Sequence, residues 1–238
     1  MSKRRGDVAV DEYRANGYLK EALVNFVALL GWNPGTPQEF FSLEELTEQF
    51  SLERVNKAGA IFNLDKLMWL NFEHLRKKPD NEVLSMLEDE LARSCLDNRR
   101  FDDAYLLKVI SAMRERVSFV RDFITQSPYF FEAPSRYEEQ AVRKRWKQET
   151  CQHLRSLADA FSGLREPRKE DFEATLHATA KSLEVENAEL IHAVRLAISG
   201  VSGGPGVYDI LQILGKDESV KRIHAAIDII KSPSINCK

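Results

Sequence analysis

Apolar positions recur along this chain at the spacing of a helix far more than of a strand. Between residues 19 and 30 the apolar positions 19, 22, 23, 26, 27 and 30 fall on one face at 3.6 residues per turn. An amphipathic helix is predicted there, ended by Gly31 and broken by Trp32-Asn33-Pro34-Gly35. Ser42-Leu43-Glu44-Glu45 has the pattern of a capping box, in which a hydroxyl and a carboxylate three residues apart satisfy amides that the first helical turn leaves open. A second helix should start at that point. A short third helix over 51–58 and a fourth over 64–76 follow, and Lys77-Lys78-Pro79-Asp80 is the first predicted linker.

Beyond that linker, 83–92 and 104–124 are amphipathic. In the second stretch Leu106, Ile110, Met113, Val117, Val120 and Ile124 alternate steps of four and three, which predicts one continuous helix with a buried stripe. Ser127-Pro128 and Ala133-Pro134 bracket the aromatic run Tyr129-Phe130-Phe131. A long polar helix is predicted over 137–161, before Gly163 and Pro167 mark a second linker. Helices over 169–183, 187–198 and 218–230 complete the chain. Between the last two, Gly200-Val201-Ser202-Gly203-Gly204-Pro205-Gly206 holds four of the 11 glycines, so the backbone there must do something that side chains would obstruct. Strands are expected to be few, if any, and no repeat is visible. The fold class is mainly α, in two or three modules.

Composition narrows what such a bundle does. The chain has 238 residues, 43% of them hydrophobic, which suffices for a real core but is short for more than two compact domains. With 30% charged residues and no apolar run long enough to cross a bilayer, no membrane partner is expected. The basic N-terminus lacks the apolar stretch of a secretory signal, so a cytoplasmic protein is expected. A net charge of -3 removes the bulk electrostatic footprint of a general nucleic-acid binder, and any polyanion must be met locally. Cys95, Cys151 and Cys237 are too widely separated for a disulfide framework, and His74, His153, His177, His192 and His224 stand singly, so no metal site is expected.

Two segments carry candidate chemistry. Arg143-Lys144-Arg145-Trp146-Lys147 places four cations and an aromatic within one and a half helical turns, as a phosphate clamp or as a solvated helix face. The loop 200–206 lacks the lysine and hydroxyl of a nucleotide-binding P-loop; it either turns a corner between helices or offers main-chain groups to the edge of an unstacked base. No nucleophile elbow is present.

A family resemblance goes further than these patterns. Met1-Ser2-Lys3-Arg4, Tyr13 and the run from Gly17 to Trp32 resemble bacterial-type glutamyl-tRNA synthetases from their KMSKS signature onward. The resemblance continues through Phe41-Ser42-Leu43-Glu44-Glu45-Leu46, Leu52-Glu53-Arg54-Val55, the run from Phe62 to Asn71, Leu214-Gly215-Lys216 and Arg222-Ile223; residues 80–190 match mainly in helical pattern. It implies a remnant of the KMSKS loop over 1–6, a stem-contact helical domain over 7–76, and an all-helical anticodon-binding region in two subdomains, 80–163 and 167–238. The first lysine of the signature, the Rossmann catalytic domain with its HIGH-type motif, and the glutamate pocket are absent from the sequence.

By the same resemblance, Ser2, Lys3 and Arg4 belong to the ATP-binding loop, with Lys3 the catalytic cation that neutralises charge developing on the phosphates. Arg116 falls where the family places the arginine that reads the first anticodon base and separates glutamate from glutamine tRNAs, and Gly204, Pro205 and Val207 fall at contacts to the other anticodon bases. Some family members carry a hydroxyl-bearing side chain where this chain has Gly204. The implied partner is tRNA(Glu); ATP with Mg, and glutamate, belong to the complete enzyme, and none is expected on this chain alone. A monomer in the cytoplasm is expected, with an organelle as the alternative compartment. A stand-alone tRNA-binding module, or one subunit of a split synthetase, is the alternative to a C-terminal part.

Overall fold

A computed structural model describes residues 10–56, 61–94, 96 and 101–230. Its helices are α1 (Val10–Ala15), α2 (Lys20–Gly31), α3 (Leu43–Gln49), α4 (Leu64–Lys77), α5 (Asp80–Arg93), α6 (Asp103–Met113), α7 (Asp122–Thr125), α8 (Glu139–Arg145), α9 (Thr150–Ser162), α10 (Lys169–Ser182), α11 (Asn187–Ser199), α12 (Val207–Leu214) and α13 (Lys216–Ile229). Among the described residues there is no strand, and Trp32 and Val55 form an isolated antiparallel bridge. The mainly α reading holds.

The chain divides into two compact units, Met1–Arg100 with Arg114–Gln126, and Phe101–Met113 with Ser127–Lys238. In the first, α2 packs on α4 and α3. The predicted capping box at Ser42 is present: the Glu45 amide donates to Ser42 Oγ at 3.2 Å, and the Ser42 amide donates to Glu45 Oε2 at 2.7 Å. Buried amides bolt the elements together. The Leu19 amide donates to Asn71 Oδ1 at 2.7 Å, and Asn71 Nδ2 donates to the Ser118 carbonyl, tying the start of α2 to α4 and to the segment after Arg116. Asn25 Oδ1 accepts from the Phe41 amide at 2.9 Å and lies 3.3 Å from His74 Nε2. As Oδ1 can only accept, that ring nitrogen carries the proton. Burial pulls the His74 pKa down and favours the neutral ring.

In the second unit α13 packs on α9 and α11, α10 on α9, α11 and α12, and α12 on α6. Leu154, Leu157, Phe161, Phe172, Leu176, Val194 and Ile223 are fully buried between them. Apolar surface is unevenly shared. Of the fourteen large apolar side chains that stay exposed among the described residues, twelve lie between Val10 and Trp69.

Three predicted elements differ from those observed, and α1 and α12 form where no helix is predicted. The helix expected over 104–124 is broken after Met113 by a 3-10 turn, Arg114–Arg116, and resumes only at α7. Its stripe belongs to two cores: Leu106, Val109, Ile110 and Met113 are buried in the second unit, and Val117, Val120 and Phe123 in the first. Apolar spacing reports that a position is buried, not in which core. Asp122 Oδ2 draws the Ser118 and Phe119 amides out of the helical ladder at 3.2 and 2.9 Å. The helix expected over 137–161 is α8 and α9, separated where Trp146 is buried and the Lys147 amide donates to Thr150 Oγ1 at 2.9 Å. The third helix, expected over 51–58, is a 3-10 turn, Leu52–Arg54. Finally, α12 occupies residues that the sequence reading left outside any helix.

Lys77-Lys78-Pro79-Asp80 forms the corner between α4 and α5, with the Lys78 ammonium held between Glu21 at 3.0 Å and Glu82 at 2.8 Å. The compact units cut the chain elsewhere than at 77–79 or 163–167.

Candidate nucleic-acid interface

In the first unit, the turn that follows α6 carries two arginines with opposite roles. Arg114 Nη1 donates to the carbonyls of Lys78 at 2.6 Å and Arg76 at 3.2 Å, and Nη2 donates to Asp80 Oδ1 at 2.6 Å. One guanidinium thus satisfies two C-terminal carbonyls of α4 and the first residue of α5. Val117, fully buried, closes the other end of the turn. Between these anchors Arg116 is exposed, with no hydrogen-bond or ion-pair partner among the described residues. A fixed backbone and a free planar guanidinium suit recognition of an unpaired base, on which it can stack and to whose edge it can donate paired hydrogen bonds. Sequence reasoning missed Arg114, because nothing in Arg-Glu-Arg separates the anchor from the presented side chain.

In the second unit the glycine-rich loop leaves α11 through Gly200, whose φ of +77° ends the helix in a left-handed cap. A Cβ at Gly200 would lie 2.8 Å from the Arg136 carbonyl. The next residues are latched to Glu138: its amide donates to the Gly200 carbonyl at 2.8 Å, and its Oε2 accepts from the Ser202 amide at 2.8 Å and hydroxyl at 2.6 Å. These donors hold the Glu138 carboxyl below its ordinary pKa. On the other side Arg195 Nη1 donates to the Pro205 carbonyl at 2.7 Å.

Of the three predicted contact positions, Gly204 is exposed in the loop, whereas the side chains of Pro205 and of Val207, the first residue of α12, are buried. The amides of Gly203 and Gly204 have no intramolecular partner among the described residues, so main-chain donors are what the exposed stretch offers. Gly204 sits at φ +119°, and a Cβ there would stand 2.8 Å from Tyr129 Oη. A side chain at this position is strained by the backbone conformation and meets the buried Tyr129 ring. Replacing Gly204 with serine should destabilise the second unit by about 2 kcal/mol in urea unfolding, the cost of a strained backbone conformation.

The basic run resolves into two pairs. Arg143 faces Glu139 at 3.5 Å and Lys147 faces Glu189 at 3.3 Å. Lys144 and Arg145 have no ion-pair partner among the described residues, and both line a cleft of about 290 Å³ with Glu138, His192, Leu196 and Ser202. Burial, and then the charges of Arg145, Arg195 and Lys144, push the His192 pKa down. The structure therefore brings together the basic run and the glycine-rich loop, which the sequence left unconnected. Arg116 belongs to the first unit and the loop to the second. Ser2, Lys3 and Arg4 lie outside the described residues. Among the described residues no group of three or more His, Cys, Asp or Glu side chains is placed to hold a metal ion, and no helix is long and apolar enough to cross a membrane.

The chain is similar to known proteins over nearly its whole length. Residues 82–227 match the family model of the anticodon binding domain, and residues 1–69 match that of the catalytic domain of class I tRNA synthetases (E and Q). Over 237 residues the chain is 44% identical to a glutamate–tRNA ligase of Chloroherpeton thalassium, covering 96% of this chain and 47% of that protein. It is 45% identical over 240 residues to the glutamate–tRNA ligase of Chlorobium phaeobacteroides, covering 97% and 48%. The chain spans about half the length of the curated relatives it matches. Among solved structures, a glutamate tRNA ligase from Elizabethkingia meningosepticum in complex with its amino acid superposes with a TM-score of 0.86 at 34% identity, covering 92% of this chain and 43% of that one. The glutamate–tRNA synthetase of Elizabethkingia anophelis superposes with a TM-score of 0.81 at 32% identity, covering 91% and 42%.

Proposed function

Because the chain belongs to the anticodon binding domain family, whose model spans residues 82–227, we propose that it holds the anticodon arm of tRNA(Glu) as the C-terminal part of a glutamate–tRNA ligase. The observation that carries this reading is Arg116, exposed and unpaired among the described residues on a turn that Arg114 and Val117 fix from both sides. Arg116 reads the first anticodon base through its guanidinium. The loop around Gly204, Pro205 and Val207 meets the other anticodon bases through main-chain groups, since two of those three side chains are buried.

In the complete enzyme the remaining roles follow the family. Residues 7–76 face the acceptor-stem side of the tRNA, and Ser2, Lys3 and Arg4 close on ATP, with Lys3 neutralising charge on the phosphates as glutamate is activated. The catalytic domain supplies the binding of glutamate and of ATP with Mg. Support for a catalytic neighbour comes from the exposed apolar side chains, twelve of fourteen of which fall in the stretch matched by the catalytic-domain family model. The protein works as a monomer in the cytoplasm.

Binding of tRNA(Glu), tRNA(Gln) and an unrelated tRNA at physiological salt tests the reading. The chain should prefer tRNA(Glu), and Arg116→Gln should reduce the preference over tRNA(Gln) by about tenfold while leaving most of the affinity for tRNA(Glu), as expected for loss of one base-reading arginine. Equal affinity of the chain for all three tRNAs would sink the proposal. A charging assay with and without a supplied catalytic half tests its enzymatic side.

A further inference from the structure

Two of the four cations in the basic run are ion-paired to carboxylates, the other two have no such partner among the described residues, and those two open onto the same cleft. We propose that this cleft, walled by Lys144, Arg145, His192 and Ser202, is a phosphate-binding subsite that grips the sugar–phosphate backbone of the RNA strand whose bases meet the glycine-rich loop. The inference rests on the tRNA-binding reading and adds to it a site whose residues that reading does not use.

The surroundings fit an anionic ligand on a sugar. Lys144 is exposed on α8 and Arg145 is half-buried beside it, so together they present a mobile point charge and a planar fork to one phosphate or to two successive ones. Across from them His192 projects from α11, one helical turn before Arg195. Its ring is held towards neutrality by burial and by the surrounding cations. A phosphate entering the cleft reverses that balance, and the ring becomes a third donor once protonated. Glu138 is the anion at the rim; its Oε2 accepts from the Ser202 amide and hydroxyl, and among the described residues it forms no ion pair with Lys144 or Arg145. Leu196 contributes an apolar wall, suited to the ribose rather than to a hydrated free ion. Backbone recognition of this kind carries no sequence information; it sets register and affinity, while Arg116 and the loop read bases.

The test is a comparison of two double variants of the whole chain by tRNA binding over a series of salt concentrations. Lys144→Gln with Arg145→Gln should weaken binding about tenfold for tRNA(Glu) and for an unrelated tRNA alike, and should flatten the dependence of log affinity on log salt by about one, the signature of lost phosphate contacts. Arg143→Gln with Lys147→Gln removes the same charge from the paired positions and should change affinity less than twofold. On addition of tRNA the His192 ring, followed by NMR, should titrate at higher pH than in the free chain. Inorganic phosphate at millimolar concentration should leave the His192 resonances in place, since the site takes a backbone phosphate and not a free ion. An unchanged salt slope in the first variant overturns the proposal, as does an equal loss in the second, which would mean bulk charge alone. If the unmodified chain binds tRNA(Glu), tRNA(Gln) and an unrelated tRNA equally, the functional reading falls, and this subsite with it; an intact preference with an unchanged slope removes the subsite only.

Discussion

Replacing Arg222 with leucine should cost the second unit about 4 kcal/mol, the penalty expected when one member of a buried charged network is removed. Arg222 is 4% exposed on α13. Its Nε donates to Glu218 Oε1 at 2.7 Å, and its Nη1 donates to the carbonyls of Tyr129 at 2.5 Å and Ile198 at 3.1 Å. Leucine fills much of the volume but takes a charged donor from both carbonyls and leaves Glu218 with only Lys221, at 3.6 Å, and this loss of buried polar pairing outweighs the apolar gain. The Tyr105 phenol shares this region; burial pushes its pKa up to about 12, and its hydroxyl donates to the Phe130 carbonyl at 2.6 Å. Hydrogen exchange of the α11 and α13 amides reads the effect directly. Ile198 lies in the last turn of α11, two residues before Gly200, so the glycine-rich loop should loosen with it. Loss of less than 1 kcal/mol in those amides would show that the network is dispensable.

The second large effect is expected at Arg114. Arg114→Ala removes three hydrogen bonds from a single guanidinium and leaves the C-terminal carbonyls of α4 open, which should destabilise the first unit by about 3 kcal/mol. Function should follow stability here. With the turn unanchored, discrimination between tRNA(Glu) and tRNA(Gln) should fall as far as in Arg116→Gln, although the Arg114 guanidinium is spent on intramolecular bonds. Arg114→Lys should recover part of the stability, since an ammonium reaches one carbonyl but not the paired geometry. Glu115→Gln is the matching control: its carboxylate is exposed and 3.5 Å from Arg76, and its loss should stay within 0.5 kcal/mol, as is typical of surface ion pairs. A normal tRNA preference in Arg114→Ala would show that Arg116 does not depend on its anchor.

Local chemistry was legible in the sequence where it was decided locally. The capping box at Ser42 needs two side chains three residues apart, and it formed as read. The position of Arg116 came from family resemblance, and periodicity alone would have left it on the dry-ordinary outer face of a helix that turns out to be broken. That break was hidden because Leu106 to Val120 keep a helical spacing while serving two cores. The helix α12 was hidden by its neighbours, since the glycines before Val207 and at Gly215 read as loop and left eight residues too few for a confident period. Which cations of the basic run are neutralised was beyond reach in principle: Lys147 is answered by Glu189, 42 positions away. Nothing in the helical spacing of 218–230 marks Arg222 as buried, and only tertiary contact with Tyr129 and Ile198 reveals it.

The order in which the chain threads its two units also bears on its birth at the ribosome. Helix α6 belongs to the second unit, yet the chain then returns to the first unit for Arg114–Gln126 before the rest of the second unit is made. At roughly 5–20 residues per second, the stretch of ~90 residues between α6 and its packing partner α12 takes on the order of 5–20 s to synthesise. During that interval Leu106, Val109, Ile110 and Met113 have no core to enter. Completion of the core around α6 therefore waits on residues 207–214, long after α6 itself has been made.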